Sequence, residues 1–374
     1  CRKTQYYEKG ETMDKFIFTS ESVTEGHPDK ICDAISDAIL DACLAEDPMS
    51  RVACETATCT GFVLITGEIT TNAKVDYARI ARDTIKEIGY DDSRKGFDGE
   101  TCAVLVAIDD QSPDIAMGVD KAYEVREQDM TESELSAIGA GDQGMMFGFA
   151  CDDNAEYKPT AMVIMQEFSK FYDELRQKDS RFLADGKTQL TGEYDDNMRL
   201  VKIKDWTISY QNTETNRAET DQILIDKARE IAGKYGVEVE KFLVNPTGKF
   251  LIGGFMGDAG LTGRKIVVDS YQSFAPVGGG AFSGKDPSKV DRSAAYKARE
   301  IAVDYLKRYN LHSCEVQLSY AIGIAEPLAI YIKGDGKNIT PEPELYAACT
   351  PKNIIKDLDL LHKKYEDTAK FGHF

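Results

Sequence analysis

Glycine is concentrated in one short part of this chain. Residues 248–284 hold ten of its 30 glycines, and glycine lets a backbone turn sharply or approach a ligand closely. Extended to residue 292, this part carries six basic side chains against four acidic ones, within a chain of formal charge −19. Accessible backbone N–H groups beside lysine and arginine suit a bound polyphosphate. The pattern therefore predicts a polyphosphate site, the alternative being tight turns with surface lysines. The basic residues are Lys249, Arg264, Lys265, Lys285, Lys289 and Arg292, and the acidic ones are Asp258, Asp269, Asp286 and Asp291.

Charge and composition exclude several classes of protein. A pI near 4.8 argues against nucleic acid as the main partner, because binding to phosphate backbones needs a net basic face. The sequence has no run of 18 apolar residues and no secretory leader, so we expect a cytoplasmic protein. Nine scattered cysteines without a CxxC pair indicate free thiols. With only four distant histidines, a metal here is expected to be a hard cation held by carboxylates and phosphate.

Short β-branched runs alternate with helical patterns along the chain and predict a mixed α/β fold. The strands are expected near residues 61–66, 102–108 and 265–269, with a strand pair near 189–211. A helix is expected after Pro28, with an apolar face and with Asp33, Asp37 and Asp41 on a solvated face. We expect an N-terminal extension at 1–12, α/β domains at 13–112, 134–249 and 250–374, and a mobile loop at 113–133.

One glycine-rich string resembles a known phosphate loop. Residues 279–285 match GxxxxGK, but Asp286 follows where a Ser or Thr hydroxyl should meet magnesium. The strand expected before such a loop lies about ten residues too early, so we predict that this is not a P-loop NTPase. Lys285 can still bind phosphate as a point charge.

Two further groups of residues could carry chemistry. His27, Asp29 and Lys30 stand at the expected start of the first helix, where free N–H groups attract anions. His27 could bond a phosphate oxygen, Asp29 could hold magnesium and Lys30 could neutralise charge, although a capped helix start explains the same residues. Glu55 and Glu68 lie on expected strands and are surface carboxylates by default.

Several longer strings resemble the S-adenosylmethionine synthetase family, also called methionine adenosyltransferases, from about residue 16 to 373. They are FTSESVTEGHPDK (18–30), RVACET (51–56), TGEITT (66–71), QSPDI (111–115), GAGDQG (139–144), NPTGKFLIGGFMGDAGLTGRK (245–265), GGGAFSGKDPSKVDRSAAY (278–296) and YAIGIAEP (320–327). The resemblance implies three similar α/β units around a pseudo-threefold axis. It also implies a homodimer, often paired into a tetramer, with active sites built by both subunits. The implied reaction joins methionine to ATP, expels triphosphate, and cleaves it to pyrophosphate and phosphate.

The resemblance also implies roles for individual residues. His27, Arg264, Lys265 and Lys285 match catalytic positions. Asp29 and Asp291 match ligands of two Mg²⁺ ions per site, and Glu55 matches the ligand of one K⁺. Methionine positions are matched by Glu68, Gln111, Asp258 and Lys289. ATP positions are matched by His27, Lys30, Asp142, Asp185, Lys187, Lys249, Phe250, Asp258, Arg264, Lys265, Ala281 and Lys285.

The sequence departs from the family pattern in places. Lys249 stands where many relatives have arginine, which keeps the charge but loses the planar fork. Residues 111–120 match a loop that closes the site, and the stretch 120–137 is longer than in many relatives. A further tail is expected beyond Phe374.

Two other functions fit part of these features. A tripolyphosphatase would keep the cationic cluster without a methionine site, but Glu68, Gln111 and Lys289 are intact. A catalytically silent regulatory homologue should lack one of the charged residues assigned to the reaction. All four that we compared are present, namely His27, Asp29, Lys285 and Asp291.

Overall fold

The structure is a computed structural model that describes residues 16–112, 139–213 and 216–374. The expected extension at 1–12 and loop at 113–133 lie outside these ranges, as does most of the expected site-closing loop at 111–120. The first part of the chain contains β1 (Phe16–Val23), α1 (Pro28–Glu46), β2 (Arg51–Cys59), β3 (Phe62–Thr70), α2 (Tyr77–Glu87), β4 (Asp91–Asp92), β5 (Phe97–Asp98) and β6 (Ala103–Asp109).

The central part contains β7 (Gly144–Cys151), α3 (Thr160–Lys178), β8 (Phe182–Tyr194), β9 (Leu200–Asn212), α4 (Ala218–Lys234) and β10 (Val239–Val244). The expected strand pair near 189–211 is thus confirmed as β8 and β9. The last part contains β11 (Gly260–Leu261), α5 (Ile266–Asp269), α6 (Val290–Tyr309), β12 (Ser313–Tyr320), β13 (Ala329–Gly334), β14 (Lys337–Ile339), α7 (Glu344–Ala348) and α8 (Pro351–Asp357).

Three four-stranded sheets organise the described residues, which confirms the expected mixed α/β fold of three units. Their strand orders are β11-β2-β3-β6, β1-β8-β9-β10 and β14-β13-β12-β7. Each sheet contains one strand from another part of the chain. The N-terminal β1 pairs with β8, the central β7 pairs with β12, and the C-terminal β11 pairs with β2. Each of the three parts of the chain thus contributes one strand to the sheet of another part. No part can therefore form its complete sheet alone.

Helices cover one face of each sheet. α1 and α2 pack on the first sheet, α3 and α4 on the second, and α6 on the third. The first and third sheets share one apolar core, to which α1 contributes Ile31, Ile35 and Ile39. The second sheet has its own core around Trp206. Within the described ranges, every helix is too short or too polar to cross a membrane, and the eight described cysteines are free thiols.

Two expectations about local structure are wrong. Residues 266–269 form a short helix rather than a strand, and this turn brings Asp269 beside Lys30 of α1. The second error concerns α1, where Asp33 and Asp37 have no exposed surface at all. Periodicity detects that a helix face is polar, but a polar face can be buried wherever a distant segment supplies hydrogen-bond donors.

Candidate active site

Four aspartates spaced four residues apart form a row along α1, which we call the aspartate row. Side chains at this spacing lie on one side of a helix. Each carboxylate accepts backbone N–H groups from the C-terminal part of the chain, so the row fixes the position of the glycine-rich backbone. The bonds run from Leu261 to Asp29 (3.0 Å), from Gly263 to Asp33 (2.9 Å), from Gly284 to Asp37 (2.8 Å), and from Tyr365 and Glu366 to Asp41 (2.9 and 3.0 Å).

Lys30 belongs to a buried ion cluster beneath this row. Its side chain is fully buried, and its Nζ lies 3.0 Å from the Asp33 carboxylate and also contacts Asp269. Burial disfavours the charge of Lys30, but Asp269 and Asp33 outweigh that effect and raise its pKa. The expectation that Lys30 contacts ATP is therefore replaced by a structural part, because its ammonium group is enclosed by protein carboxylates.

His27 caps the N-terminus of α1 and is held in one orientation. Its Nδ1 accepts the backbone N–H of Asp29 at 3.2 Å, and the residue is 3% exposed. Burial and the charges of Lys265 and Lys187 lower the pKa of His27 to about 3. A neutral imidazole that accepts at Nδ1 carries its hydrogen on Nε2. His27 can thus donate a hydrogen bond from Nε2 without carrying a charge.

Two lysine–aspartate pairs mark the cationic parts of the site. Lys265 Nζ lies 2.5 Å from Asp29, and Arg264 Nε approaches the same carboxylate at 4.0 Å. Lys285 Nζ contacts Asp291, which stands in the first turn of α6. All four members of the two pairs are largely buried, at 17% exposure or less. In each pair, a residue expected to bind phosphate faces a residue expected to bind a metal.

The backbone that carries Lys285 is anchored to the first sheet. Gly284 has a positive φ of 79°, and an added Cβ there would lie 2.0 Å from the carbonyl oxygen of Cys54. Lys285 forms an isolated bridge with Ala53. The next helix begins only at Val290, which agrees with the prediction that this string is not the phosphate loop of an NTPase.

Glu55 interacts electrostatically with both Glu68 and Lys285. Burial raises the pKa of Glu55, and the charge of Glu68 raises it further, whereas Lys285 lowers it. Glu55 is half-buried on β2, and Glu68 is exposed on β3. The two carboxylates repel each other, so a bound cation would relieve an existing electrostatic cost.

A second group of expected ATP residues surrounds Asp185 on β8. Asp185 accepts the backbone N–H of Gly254 at 2.8 Å. Burial raises the pKa of its carboxyl to about 6, Lys187 lowers it, and Asp258 raises it. Lys187 and Asp258 are both exposed. The structure therefore places these three residues around the turn at Gly254.

The other expected site residues are scattered around these groups. Lys249 and Asp142 are exposed, and Ala281 contacts Gly263 in the glycine-rich segment. Lys289 lies 3.0 Å from the buried Asp286 and also packs near Gly141. The remaining two are placed by backbone bonds: the carbonyl of Phe250 accepts from Asn212 at 2.9 Å, and the N–H of Gln111 donates to Thr70 at 3.0 Å.

Our prediction of site residues missed the groups that support the site. Asp33, Asp37 and Asp286 each bind a backbone N–H of another segment, and Arg292 pairs with Asp37. The four-residue spacing of the aspartates was the available signal. It could not be interpreted from the sequence, because the donors lie more than 200 residues away.

Comparison with protein families identifies the class of this protein. Three family models match in succession: the N-terminal domain of S-adenosylmethionine synthetase over residues 15–113, the central domain over 137–250, and the C-terminal domain over 252–374. The fold and these matches define a three-unit α/β transferase. The chain belongs to the S-adenosylmethionine synthetase family. It is accordingly a methionine adenosyltransferase, with ATP and methionine as the substrates that the family implies.

The structural part of Lys30 predicts a loss of stability that replacement of an exposed lysine should not cause. Lys30→Met leaves Asp33 and Asp269 buried without their counter-ion, which should lower the free energy of unfolding by about 3–5 kcal/mol. Lys187→Met, at an exposed position, should change it by less than about 0.5 kcal/mol. Denaturant unfolding of both variants measures the difference. Equal stabilities would contradict the structural part given to Lys30.

Proposed function

We propose that this enzyme forms S-adenosylmethionine by direct displacement, followed by hydrolysis of the leaving group. The methionine sulfur attacks the ribose 5′ carbon of ATP, an S–C bond forms, and the C–O bond to the triphosphate breaks. The triphosphate leaves with the bonding electron pair. Water then cleaves it to pyrophosphate and phosphate before the products depart.

Charge stabilisation is the main task of the site in this scheme. A thioether sulfur is already a nucleophile, so the first step needs no general base. Negative charge develops on the departing triphosphate, and groups fixed in advance stabilise it most effectively. Lys265, Lys285 and Arg264 supply positive charge, and His27 donates from its neutral Nε2. The observation that carries this proposal is the pair of partly buried lysines, each held at an aspartate beside glycine-rich backbone.

The carboxylates fit the metal ions that we propose for the site, two Mg²⁺ and one K⁺. Asp29 and Asp291 offer hard oxygen ligands, each beside a lysine. In the part of the chain that the structure describes, no three or more His, Cys, Asp or Glu side chains group closely enough to hold a metal. Mg²⁺ often takes one or two carboxylates plus substrate phosphates. Bound there, it would neutralise phosphate charge, and K⁺ would offset the repulsion between Glu55 and Glu68.

Substrate contacts follow the grouping of the side chains. For ATP we propose the residues around Asp185 and the two lysine pairs. For methionine we propose the residues around Glu55 and Lys289, together with Asp258, which would contact both substrates. The proposed methionine contacts are Glu68, Gln111, Asp258 and Lys289. The proposed ATP contacts are His27, Asp142, Asp185, Lys187, Lys249, Phe250, Asp258, Arg264, Lys265, Ala281 and Lys285.

We also propose a homodimer, which pairs further into a tetramer, with each active site completed by the partner subunit. Apolar side chains on the uncovered sheet faces support self-association. Leu105 of β6 is 57% exposed, and Tyr331 of β13 is 38% exposed. Free thiols are typical of the cytoplasm, which is the compartment that we propose.

The activity is tested by product analysis of the purified protein. With ATP, methionine, Mg²⁺ and K⁺, mass spectrometry should detect S-adenosylmethionine, and phosphorus NMR should detect equal amounts of pyrophosphate and phosphate. Omitting methionine, Mg²⁺ or K⁺ in turn should remove or reduce the product. Acid quenching within the first turnover should show bound tripolyphosphate together with S-adenosylmethionine. Hydrolysis of added tripolyphosphate without S-adenosylmethionine would instead identify a tripolyphosphatase, and no reaction would identify a silent homologue.

The variant His27→Asn separates the proposed catalytic role of His27 from its role as the N-cap of α1. Asparagine is a good N-cap residue, so stability should stay close to that of the wild type. The loss of the Nε2 donor should lower kcat by about 10²–10³-fold, as for other donors to a developing charge. The affinity for ATP should fall much less. Steady-state kinetics and thermal unfolding measure both effects, and parallel losses in kcat and ATP affinity would point to a packing role.

A further inference from the structure

We propose that Arg292 is a positioning residue that fixes Lys285 for stabilisation of the triphosphate, acting through Asp37 and the backbone of the glycine-rich segment. This inference rests on the function proposed above for Lys285. It starts from the burial of Arg292 in the first turns of α6, directly after Asp291. The guanidinium of Arg292 is 1% exposed, and the Asp37 carboxylate is fully buried.

The pairing of Arg292 with Asp37 is bidentate. Arg292 Nη1 lies 2.6 Å from Asp37 Oδ1, and Nη2 lies 2.9 Å from Oδ2. Two parallel bonds fix the angle between the partners as well as their distance. The pair therefore joins α6 rigidly to the middle of α1.

This pair holds the backbone of Gly284 and Lys285 at several points. Asp37 Oδ1 accepts the N–H of Gly284 at 2.8 Å, and Arg292 Nη1 donates to the carbonyl of Lys285 at 3.3 Å. The carbonyl of Gly284 accepts the N–H of Cys54 at 2.9 Å. With three backbone groups bonded, the remaining freedom of Lys285 is in its side chain.

The remaining donors of Arg292 bond partners other than Lys285. Nε donates to the Tyr296 hydroxyl at 3.0 Å, and Nη2 also donates to Thr368 at 3.2 Å. The Tyr296 hydroxyl lies 2.7 Å from Nδ1 of the buried His373. A guanidinium has five N–H groups, and these contacts supply a partner for each. Since none is left for a phosphate, Arg292 acts on the reaction through Lys285.

Lysine at position 292 would keep the charge but not the fork. An ammonium group has three donors and no planar fork, so Arg292→Lys loses the bidentate pairing with Asp37 and can replace at most three of the five bonds that Arg292 makes. A small displacement of a catalytic group can cost about 10²-fold in rate. We therefore expect Arg292→Lys to lower kcat by about 10²-fold, with a smaller change in KM for ATP.

A double-mutant cycle separates positioning from general destabilisation. It compares wild type, Arg292→Lys, Lys285→Ala and the double variant by kcat, and by the rate constant for S-adenosylmethionine formation in single-turnover assays, which excludes product release. If Arg292 acts by positioning Lys285, Arg292→Lys should cause no further loss of kcat in a protein in which Lys285 is already replaced by alanine. Losses that multiply in the double variant, or an unchanged kcat in Arg292→Lys, would overturn the proposal. A wild type without S-adenosylmethionine synthesis would instead refute the proposed function.

Arg299 provides a matched control on the same helix. Its guanidinium donates to the carbonyls of Phe149, Tyr157 and Glu156 at 2.5, 3.0 and 2.8 Å, and it contacts none of the site residues. Arg299→Lys should lower thermal stability while leaving kcat near the wild-type value. If it lowers kcat as much as Arg292→Lys does, the effect is general and the proposal fails.

A milder variant keeps the proposal testable if Arg292→Lys does not fold. Tyr296→Phe removes the hydroxyl that bonds Nε and leaves the Asp37 pair in place. In the same cycle with Lys285→Ala, Tyr296→Phe should lower kcat when Lys285 is present. It should cause no further loss when residue 285 is alanine. An unchanged kcat in Tyr296→Phe, or multiplying losses, would count against the proposal.

Discussion

A buried carboxylate must find hydrogen-bond donors, and in this chain that requirement ties the first helix to a segment more than 200 residues later. The aspartate row receives N–H groups from both halves of the glycine-rich backbone and from the C-terminal region. Glycine permits this contact, because a Cβ at Gly284 would collide with the neighbouring strand. The arrangement of the residues that we propose to bind phosphate therefore depends on one helix face.

The same arrangement explains how an acidic protein can bind ATP. Lys265 and Lys285 are held at carboxylates, so their positions are fixed before substrate arrives and their charges are balanced in its absence. Electrostatic stabilisation is strongest when the charged groups need no rearrangement during reaction. In the proposed site, His27 complements them as a neutral donor, because burial and two lysines disfavour its protonation. The overall charge of −19 is thus compatible with a locally cationic site.

Sequence reasoning predicted the α/β class, the strand pair β8 and β9, and the non-NTPase character of residues 279–285. These depend on local patterns and short spacings. It wrongly assigned Asp33 and Asp37 of α1 to solvent and residues 265–269 to a strand, because both features depend on partners that the local sequence does not contain. Lys30 was misjudged for the same reason, since its partner Asp269 follows 239 residues later. The strand exchange among the three sheets is likewise a tertiary feature.

Amide hydrogen exchange on the ligand-free wild-type protein tests the aspartate row most directly. If the row fixes the glycine-rich backbone, the amides of Gly263 and Gly284 should exchange as slowly as the amide of Ile35 inside α1. Their exchange should then require the same unfolding event. Fast exchange of both glycine amides, with protection appearing only after ATP and methionine are added, would show that the ligands order this backbone and would contradict the account.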